Sequence, residues 1–273
     1  MHRYPHFLLL LLLSAALPAQ ECAQLAVARR FLGRPYVANT LEVNAPDEQL
    51  VVDTLHVDCT TFVDQVLALA LTENATGQSC ISADSTFRSL LTRIRYHDGI
   101  IDGYASRCHY FTDMADNMAT QGLLLPVKSR GMVTRSITLH FMSSHPDSYI
   151  QLRSDTVEQT FIRRAESRLG TVRQHYIPKE QKSAFRRSTS CIRDGDVLAL
   201  VSTIDGLDVS HLGFAVWVGE ELHLLNASSR QGCVVLDDQP LRSYLLTRSS
   251  CPGIEVWRPC ISNGFSSSSN LQK

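Results

Sequence analysis

The sequence lacks both an excess of charge and the short motifs of common metal enzymes. Lys and Arg number 26 against 27 Asp and Glu, which gives a formal net charge of -1. This balance offers no general attraction to a polyanion, so nucleic acid is not an expected partner. The absence of C-x-x-C and H-E-x-x-H argues against a zinc ribbon and a zincin. We therefore expect no metal and no other cofactor.

Long apolar runs are also absent, except near the N-terminus. Six consecutive leucines occupy residues 8–13, with Arg3 before them and Leu-Pro-Ala after them. The run is too short to span a bilayer and fits the apolar part of a secretory signal peptide, although a buried N-terminal helix is an alternative. We expect cleavage near Ala19, with residues 1–19 as the signal peptide. The mature protein should be exported, without stable membrane insertion.

Hydrophobic periodicity changes along the chain from helical to strand-like. The expected helices cover residues 23–31, most of 84–125, 157–169 and a stretch that begins near Cys59. The expected strands cover residues 136–141, 197–201, 210–218, 222–227 and 254–257. Helices first and antiparallel strands later predict an α+β fold. The serine-rich tail, residues 263–273, should be disordered.

One of the eight cysteines lies where a helix is expected to begin. Asp58 and Thr60, on either side of Cys59, are favourable residues for a helix N-terminus. The free N–H groups and the dipole at such a terminus stabilise a thiolate, and they also favour a developing oxyanion. Cys59 is therefore a candidate nucleophile. The alternative is a small buried cysteine that serves only as apolar filling.

A general base is expected on a predicted hairpin. With a two-residue loop at 219–220, Asn226 becomes a diagonal neighbour of His211 on one face of the hairpin. His223 then lies on the opposite face, whereas a loop of odd length would favour His223 instead. A cysteine nucleophile needs a base that a third polar group holds in place. Cys59, His211 and Asn226 are the candidate catalytic residues.

The surroundings of these residues resemble the motifs of the NlpC/P60 papain-like superfamily. Segments 58–62 and 194–197 are similar to its D-C-S/T-x-F and G-D patterns, and segments 210–213 and 224–228 to its H-V/L-G and H-A-S strands. Asn226 replaces the histidine that is frequent in the last of these strands. One branch, the DUF1460 family, resembles the chain over about residues 25–258. The segments of that likeness are 33–42, 104–111, 176–179 and 206–211.

The resemblance implies a fold and a domain organisation. In an NlpC/P60 papain-like core, a helix that bears the nucleophile packs on an antiparallel sheet. The chain should form a single domain of this kind over residues 20–262. Because 152 residues separate Cys59 from His211, a helical insertion is expected at about 74–190.

The DUF1460 resemblance also implies an activity, that of a periplasmic N-acetylmuramoyl-L-alanine amidase. Such an enzyme cuts the amide that joins muramic acid to the peptide stem of muropeptides, in cell-wall turnover or recycling. Cys59 would attack the carbonyl, His211 would move the proton, and Asn226 would orient the imidazole ring. The candidate substrate-binding residues are Tyr36, Arg107, His109, Tyr110, Asp208 and Ser210.

Several alternatives remain open at this stage. Arg107 suits a substrate carboxylate and Tyr110 suits a sugar face, but a surface helix with core aromatics explains both equally well. A polar loop explains Asp208 and Ser210. The catalytic residues fit a γ-D-glutamyl-diamino-acid endopeptidase of the same superfamily as well as an amidase. An alternative from another class is an exported non-catalytic protein that binds the cell wall.

Overall fold

The secondary structure comes from a computed structural model that describes residues 21–43, 47–77 and 84–261. The expected signal peptide and the serine-rich tail lie outside the described residues. The helices are α1 (Ala23–Arg29), α2 (Cys59–Thr76), α3 (Asp84–Arg95), α4 (Phe111–Thr120), α5 (Phe141–Ser144), α6 (Thr156–Leu169) and α7 (Leu241–Leu246). The strands are β1 (Leu124–Pro126), β2 (Val133–Thr138), β3 (Thr171–Pro178), β4 (Val197–Val201), β5 (Val209–Val218), β6 (Glu221–Ser228), β7 (Cys233–Leu236) and β8 (Gly253–Pro259).

The strands form an antiparallel sheet, so the expected α+β class is confirmed. Within the described residues the sheet has eight strands in the order β2-β3-β8-β4-β5-β6-β7, and β1 also pairs with β8. The predicted two-residue loop between β5 and β6 is confirmed, because Val218 pairs with Glu221. Gly219 adopts a φ of +59° in this turn, a conformation that glycine reaches without strain. The register of this hairpin places the functional residues described below.

Helix α2 forms the centre of the largest hydrophobic core. Its residues from Thr61 to Thr72 are buried on every side of the helix. Phe62 contacts Phe31 and Phe214 edge to face, with ring centroids 5.7 and 5.6 Å apart. Because Phe214 belongs to β5, this packing fixes α2 against the strand that carries His211. Among the described residues no helix is both long and apolar enough to cross a membrane.

The segment 74–190 is more than a helical insertion. It contains α3 to α6, but it also contributes β1, β2 and β3, and β3 joins the central sheet by pairing with β8. The strand expected at 136–141 begins three residues earlier, and the chain turns into α5 at Phe141. The stretch expected to be mostly helical, 84–125, is interrupted by 3-10 turns at His97–Gly99 and Tyr104–Ser106.

The described cysteines are all free thiols. They are Cys22, Cys59, Cys108, Cys191, Cys233, Cys251 and Cys260. An exported protein can form disulfides, but within the described residues none is present. Cys80 lies outside the described residues.

A buried ion pair joins α2 to α3. Arg95 donates from Nε to Asp64 Oδ2 over 2.9 Å, and both side chains are almost fully buried. Arg95 also donates to the Val51 carbonyl. Burial raises the pKa of Asp64 to about 6, although the charge of Arg95 acts to lower it. Each partner therefore depends on the other for the compensation of its charge.

We expect Arg95→Met to lower the free energy of unfolding by about 3–5 kcal/mol at mildly alkaline pH, because it leaves the Asp64 carboxylate buried and unpaired. The loss should shrink as the pH is lowered, since a protonated Asp64 no longer needs a cation. Urea unfolding followed by circular dichroism measures both effects. The matched control is Arg88→Met on the same helix, which removes an exposed pair with Asp84 and should cost less than about 1 kcal/mol. Equal losses in the two variants would contradict this account.

Candidate active site

Cys59 is the first residue of α2, as the sequence predicts. Asp58 is the N-cap, and it exchanges two hydrogen bonds with Thr61 in a capping box. Thr61 N–H donates to Asp58 Oδ1 over 2.8 Å, and Asp58 N–H donates to Thr61 Oγ1 over 2.9 Å. A helix leaves its first N–H groups without intrahelical partners. The N–H groups of Cys59 and Thr60 belong to this class and lie where a thiolate or an oxyanion would benefit from them.

His211 and Asn226 are joined across the β5–β6 hairpin. The Nε2 atom of His211 lies 2.8 Å from Oδ1 of Asn226. Asn226 is buried, and His211 is partly exposed. His223 pairs with Val216 and lies on the opposite face of the same strand from Asn226, so the structure agrees with the face predicted for each residue.

The ionisation of His211 depends on Cys59. Burial acts to lower the pKa of the imidazole, but the negative charge of Cys59 and a hydrogen bond to it act in the other direction. Asn226 and Asp237 add to this second effect, and the pKa of His211 is raised above its ordinary value. The structure therefore brings the predicted nucleophile, base and orienting residue together. A cysteine and a histidine in this relation can exist as a thiolate and an imidazolium.

The glycine of the 210–213 motif allows His211 and Asn226 to approach each other. Gly213 lies on β5, two residues after His211. A Cβ atom at this position would lie 2.7 Å from the Leu225 carbonyl oxygen and 3.0 Å from Cβ of Asn226. A larger residue would therefore push β6 and Asn226 away from His211. The sequence signal was the glycine within a strand, which marks a close approach of another backbone.

Tyr36 lies beside the thiol. Its backbone N–H donates to the Gly232 carbonyl over 2.8 Å, and the residue bridges to Val57 just before α2. Burial raises the pKa of the Tyr36 hydroxyl, and the charges of Cys59 and Asp58 raise it further. Tyr36, a candidate substrate-binding residue, therefore lies close enough to Cys59 for the charge of the thiolate to act on its hydroxyl.

Arg107 is occupied by carboxylates of the protein itself. Its guanidinium donates to Glu48 over 2.7 and 2.8 Å, and to Glu42 over 3.1 Å. The side chain is only 5% exposed, and it also donates to the Leu41 carbonyl. The expectation that Arg107 binds a substrate carboxylate is therefore not supported, because both edges of its fork are already engaged.

His109 and Tyr110 belong to the same part of the molecule as Arg107. Burial lowers the pKa of His109 to about 3, and its Nε2 lies 2.9 Å from the Tyr104 carbonyl oxygen. The Tyr110 hydroxyl donates to Glu166 over 2.7 Å. Tyr110 packs in a hydrophobic cluster with residues of α5 and α6, separate from the cluster that contacts Cys59. The structure does not join either residue to Cys59, His211 and Asn226.

Asp208 and Ser210 flank His211 on the chain but differ in their surroundings. Asp208 is buried, and it accepts hydrogen bonds from the N–H groups of Thr112 and Val209, each over 2.7 Å. It therefore ties the start of α4 to the start of β5. Ser210 is exposed at a bulge in the pairing of β4 and β5. Only Ser210 of the two is open to a substrate.

Two other features lie apart from the three candidate catalytic residues. Cavities of about 880 and 730 Å³ flank Tyr104, and among the described residues that line them neither Cys59 nor His211 occurs. His97, Cys108 and Asp113 also bring three possible metal ligands within 4.8 Å of one another. Burial raises the pKa of the Cys108 thiol, which opposes the thiolate form that zinc requires. A 3.1 Å ion pair between His97 and Asp113 explains this group without an ion.

Comparisons with known proteins find one family model and several solved structures that are similar to this chain. The AmiA-like family, described as N-acetylmuramoyl-L-alanine amidase-like, matches residues 26–254. An N-acetylmuramoyl-L-alanine amidase from Bacteroides uniformis is 36% identical, with a TM-score of 0.80, over 86% of this chain and 98% of its own. A Bacteroides fragilis protein named as a candidate xylanase is 38% identical, with a TM-score of 0.78, over 86% of this chain and 99% of its own.

A more distant structure shares the fold alone. A Legionella pneumophila protein of the DUF1460 family is 24% identical, with a TM-score of 0.63, over 87% of this chain and 89% of its own. A comparison with curated proteins finds none that matches. The family match covers most of the chain, and the chain therefore belongs to the AmiA-like family of N-acetylmuramoyl-L-alanine amidase-like proteins.

Proposed function

We propose that the protein is a cysteine amidase that cleaves the bond between N-acetylmuramic acid and L-alanine in peptidoglycan fragments. Membership of the amidase-like family supports an amide bond of peptidoglycan as the target. The observation that carries the cysteine mechanism is the 2.8 Å contact of His211 Nε2 with Asn226 Oδ1, next to a thiol at a helix start. We place the enzyme in the periplasm, where it would act in cell-wall turnover or recycling, on an NlpC/P60 papain-like core.

In the proposed reaction, the Cys59 thiolate attacks the lactyl carbonyl carbon and a sulfur–carbon bond forms. The N–H groups of Cys59 and Thr60 stabilise the negative oxygen of the tetrahedral intermediate. The His211 imidazolium then gives its proton to the nitrogen of L-alanine, the carbon–nitrogen bond breaks, and the free peptide stem leaves. His211 next takes a proton from water, which attacks the thioester. Breakage of the sulfur–carbon bond releases the muramic acid carboxylate and restores the thiolate.

Two rival activities differ from this one in the bond that they break. The endopeptidase alternative uses the same three residues but cuts between D-glutamate and the diamino acid. Glycoside hydrolysis, as in a xylanase, uses two carboxylates on either side of the scissile bond. The group that faces His211 is a thiol and not a carboxylate, which favours cleavage of an amide. The non-catalytic alternative is opposed by the placement of all three candidate residues together.

We expect Cys59→Ala to lower kcat by about 10³-fold or more, because the covalent nucleophile is lost. The assay digests a purified muropeptide that carries its muramic acid and identifies the products by mass spectrometry. The wild type should release the intact stem peptide with L-alanine at its N-terminus. The control Cys260→Ala removes an exposed thiol and should be active. Activity in the Cys59→Ala variant would exclude the thiol mechanism, and cleavage after D-glutamate would identify an endopeptidase.

The three polar residues of the hairpin should differ in importance. We expect His211→Ala to lower kcat most, because the base is lost, and Asn226→Ala to lower it less, because an orienting amide carries no proton. His223→Ala should be milder still, since its Nδ1 contacts the Asp237 carbonyl oxygen and not the base. Steady-state kinetics at equal folded fraction measures the order. If His223→Ala lowered kcat as much as His211→Ala while Asn226→Ala left kcat unchanged, the orienting role would belong to His223.

Removal of the thiolate should also change the titration of the base. Because the charge and hydrogen bond of Cys59 raise the pKa of His211 against the effect of burial, we expect this pKa to fall in Cys59→Ala. NMR titration of the His211 ring carbon–proton signal measures the change, with Cys260→Ala as the control that leaves the pKa in place. An unchanged or higher pKa in the Cys59→Ala protein would mean that the two side chains do not form a thiolate–imidazolium pair.

A further inference from the structure

Asp237 follows β7 and holds its carboxylate against the buried side of Asn226. Its Oδ2 accepts a hydrogen bond from Asn226 Nδ2 over 2.9 Å. Its Oδ1 accepts from Gln231 Nε2 over 2.7 Å and lies 3.7 Å from the guanidinium of Arg230. The side chain is 13% exposed. Both carboxylate oxygens therefore accept hydrogen bonds. Of the donor residues, Asn226 is the one that also contacts His211.

The backbone of Asp237 is fixed as firmly as its side chain. Its N–H donates to the Leu224 carbonyl over 2.9 Å, which continues the pairing of β6 beyond the end of β7. Its carbonyl oxygen lies 2.8 Å from Nδ1 of His223. His223 therefore contacts the residue behind Asn226 and does not face the base itself. Two neighbouring residues of β6 therefore hold the backbone of Asp237 beside Asn226.

These contacts determine which way the Asn226 amide points. A carboxylate accepts hydrogen bonds and cannot donate, so the amide must turn its NH₂ group toward Asp237. The same NH₂ group lies 3.3 Å from a second acceptor, the Leu224 carbonyl oxygen. A flipped amide would bring its oxygen against both acceptors. Oδ1 of Asn226 is therefore directed toward His211.

The direction of the amide in turn decides the tautomer of His211. Because Oδ1 can only accept, Nε2 of His211 must carry the proton in their 2.8 Å hydrogen bond. In the neutral ring Nδ1 is then the unprotonated nitrogen, which is the one available to a proton from Cys59. We propose that Asp237 is a positioning residue that fixes the His211 tautomer through Asn226. This inference rests on the proposed thiol mechanism.

The test removes the carboxylate at position 237 and then exchanges the amide at 226 with the carboxylate at 237. Asp237→Ala removes the acceptor behind Asn226 and should lower kcat about tenfold or more with KM nearly unchanged. Asn226→Asp alone should also be harmful, because two carboxylates then face each other. In N226D/D237N the carboxylate stands at 226 and the amide at 237, so His211 again donates from Nε2 to an obligatory acceptor. We expect this double variant to recover most of the activity that Asn226→Asp loses.

The control is Asp238→Asn, which removes the same charge from an exposed neighbour and should leave kcat unchanged. A substrate-independent measurement accompanies the kinetics: the rate of Cys59 alkylation by iodoacetamide, and the ¹⁵N shifts of His211 in the Cys59→Ala background. We expect Asp237→Ala to slow alkylation and to increase the Nδ1–H tautomer. The proposal would be overturned if the His211 tautomer were unchanged in Asp237→Ala. It would also be overturned if Asn226→Asp lowered kcat equally with Asp or Asn at position 237.

The two measurements separate this inference from the proposed function. If the protein released no stem peptide, but alkylation and the His211 tautomer still followed residue 237 as described, the substrate assignment would fall and the positioning role of Asp237 would stand. If stem peptide were released by the wild type and equally by Asp237→Ala, the amidase assignment would stand and the role of Asp237 would fall.

Discussion

The packing of α2 on the β5–β6 hairpin is the interaction on which the rest of the site depends. Cys59 is the first residue of a helix that is buried on all sides, and the base lies on a strand 152 residues further along the chain. The edge-to-face contact of Phe62 with Phe214 joins the two elements. Apolar residues that take no part in the proposed reaction therefore determine where Cys59 and His211 lie. The hydrogen bond of His211 to Cys59 depends on this packing, because it holds the start of α2 next to the hairpin.

Much of the site was predictable because its signals are local. The residues around Cys59 form a helix start that can be read from a few neighbours, and the 219–220 loop fixes the register of the whole hairpin. The class of the fold followed from the change of period along the chain. The family resemblance supplied the reaction and the candidate substrate-binding residues, which no local pattern contains.

The parts that were not predictable depend on contacts between distant segments. Strand β3 was missed because Gln174, one of its two buried residues, is polar and breaks the alternation of apolar and polar residues. Arg107 appeared available for a substrate because nothing near it in sequence reveals that Glu42 and Glu48 enclose it. Asp237 is one of two adjacent aspartates after a short strand. Its relation to His211 passes through Asn226, and only the tertiary structure brings the three together.

Gly213 shows how readily fold and catalysis could separate in this architecture during evolution. The residue touches neither the thiol nor a substrate, yet an added Cβ would lie 2.7 Å from the backbone of β6. A single substitution there would widen the hairpin beside His211 while α2 and the rest of the sheet persisted. A protein that retained Cys59, His211 and Asn226 but carried a larger side chain at position 213 would therefore lose the close contact of His211 with Asn226 without losing any of the three residues.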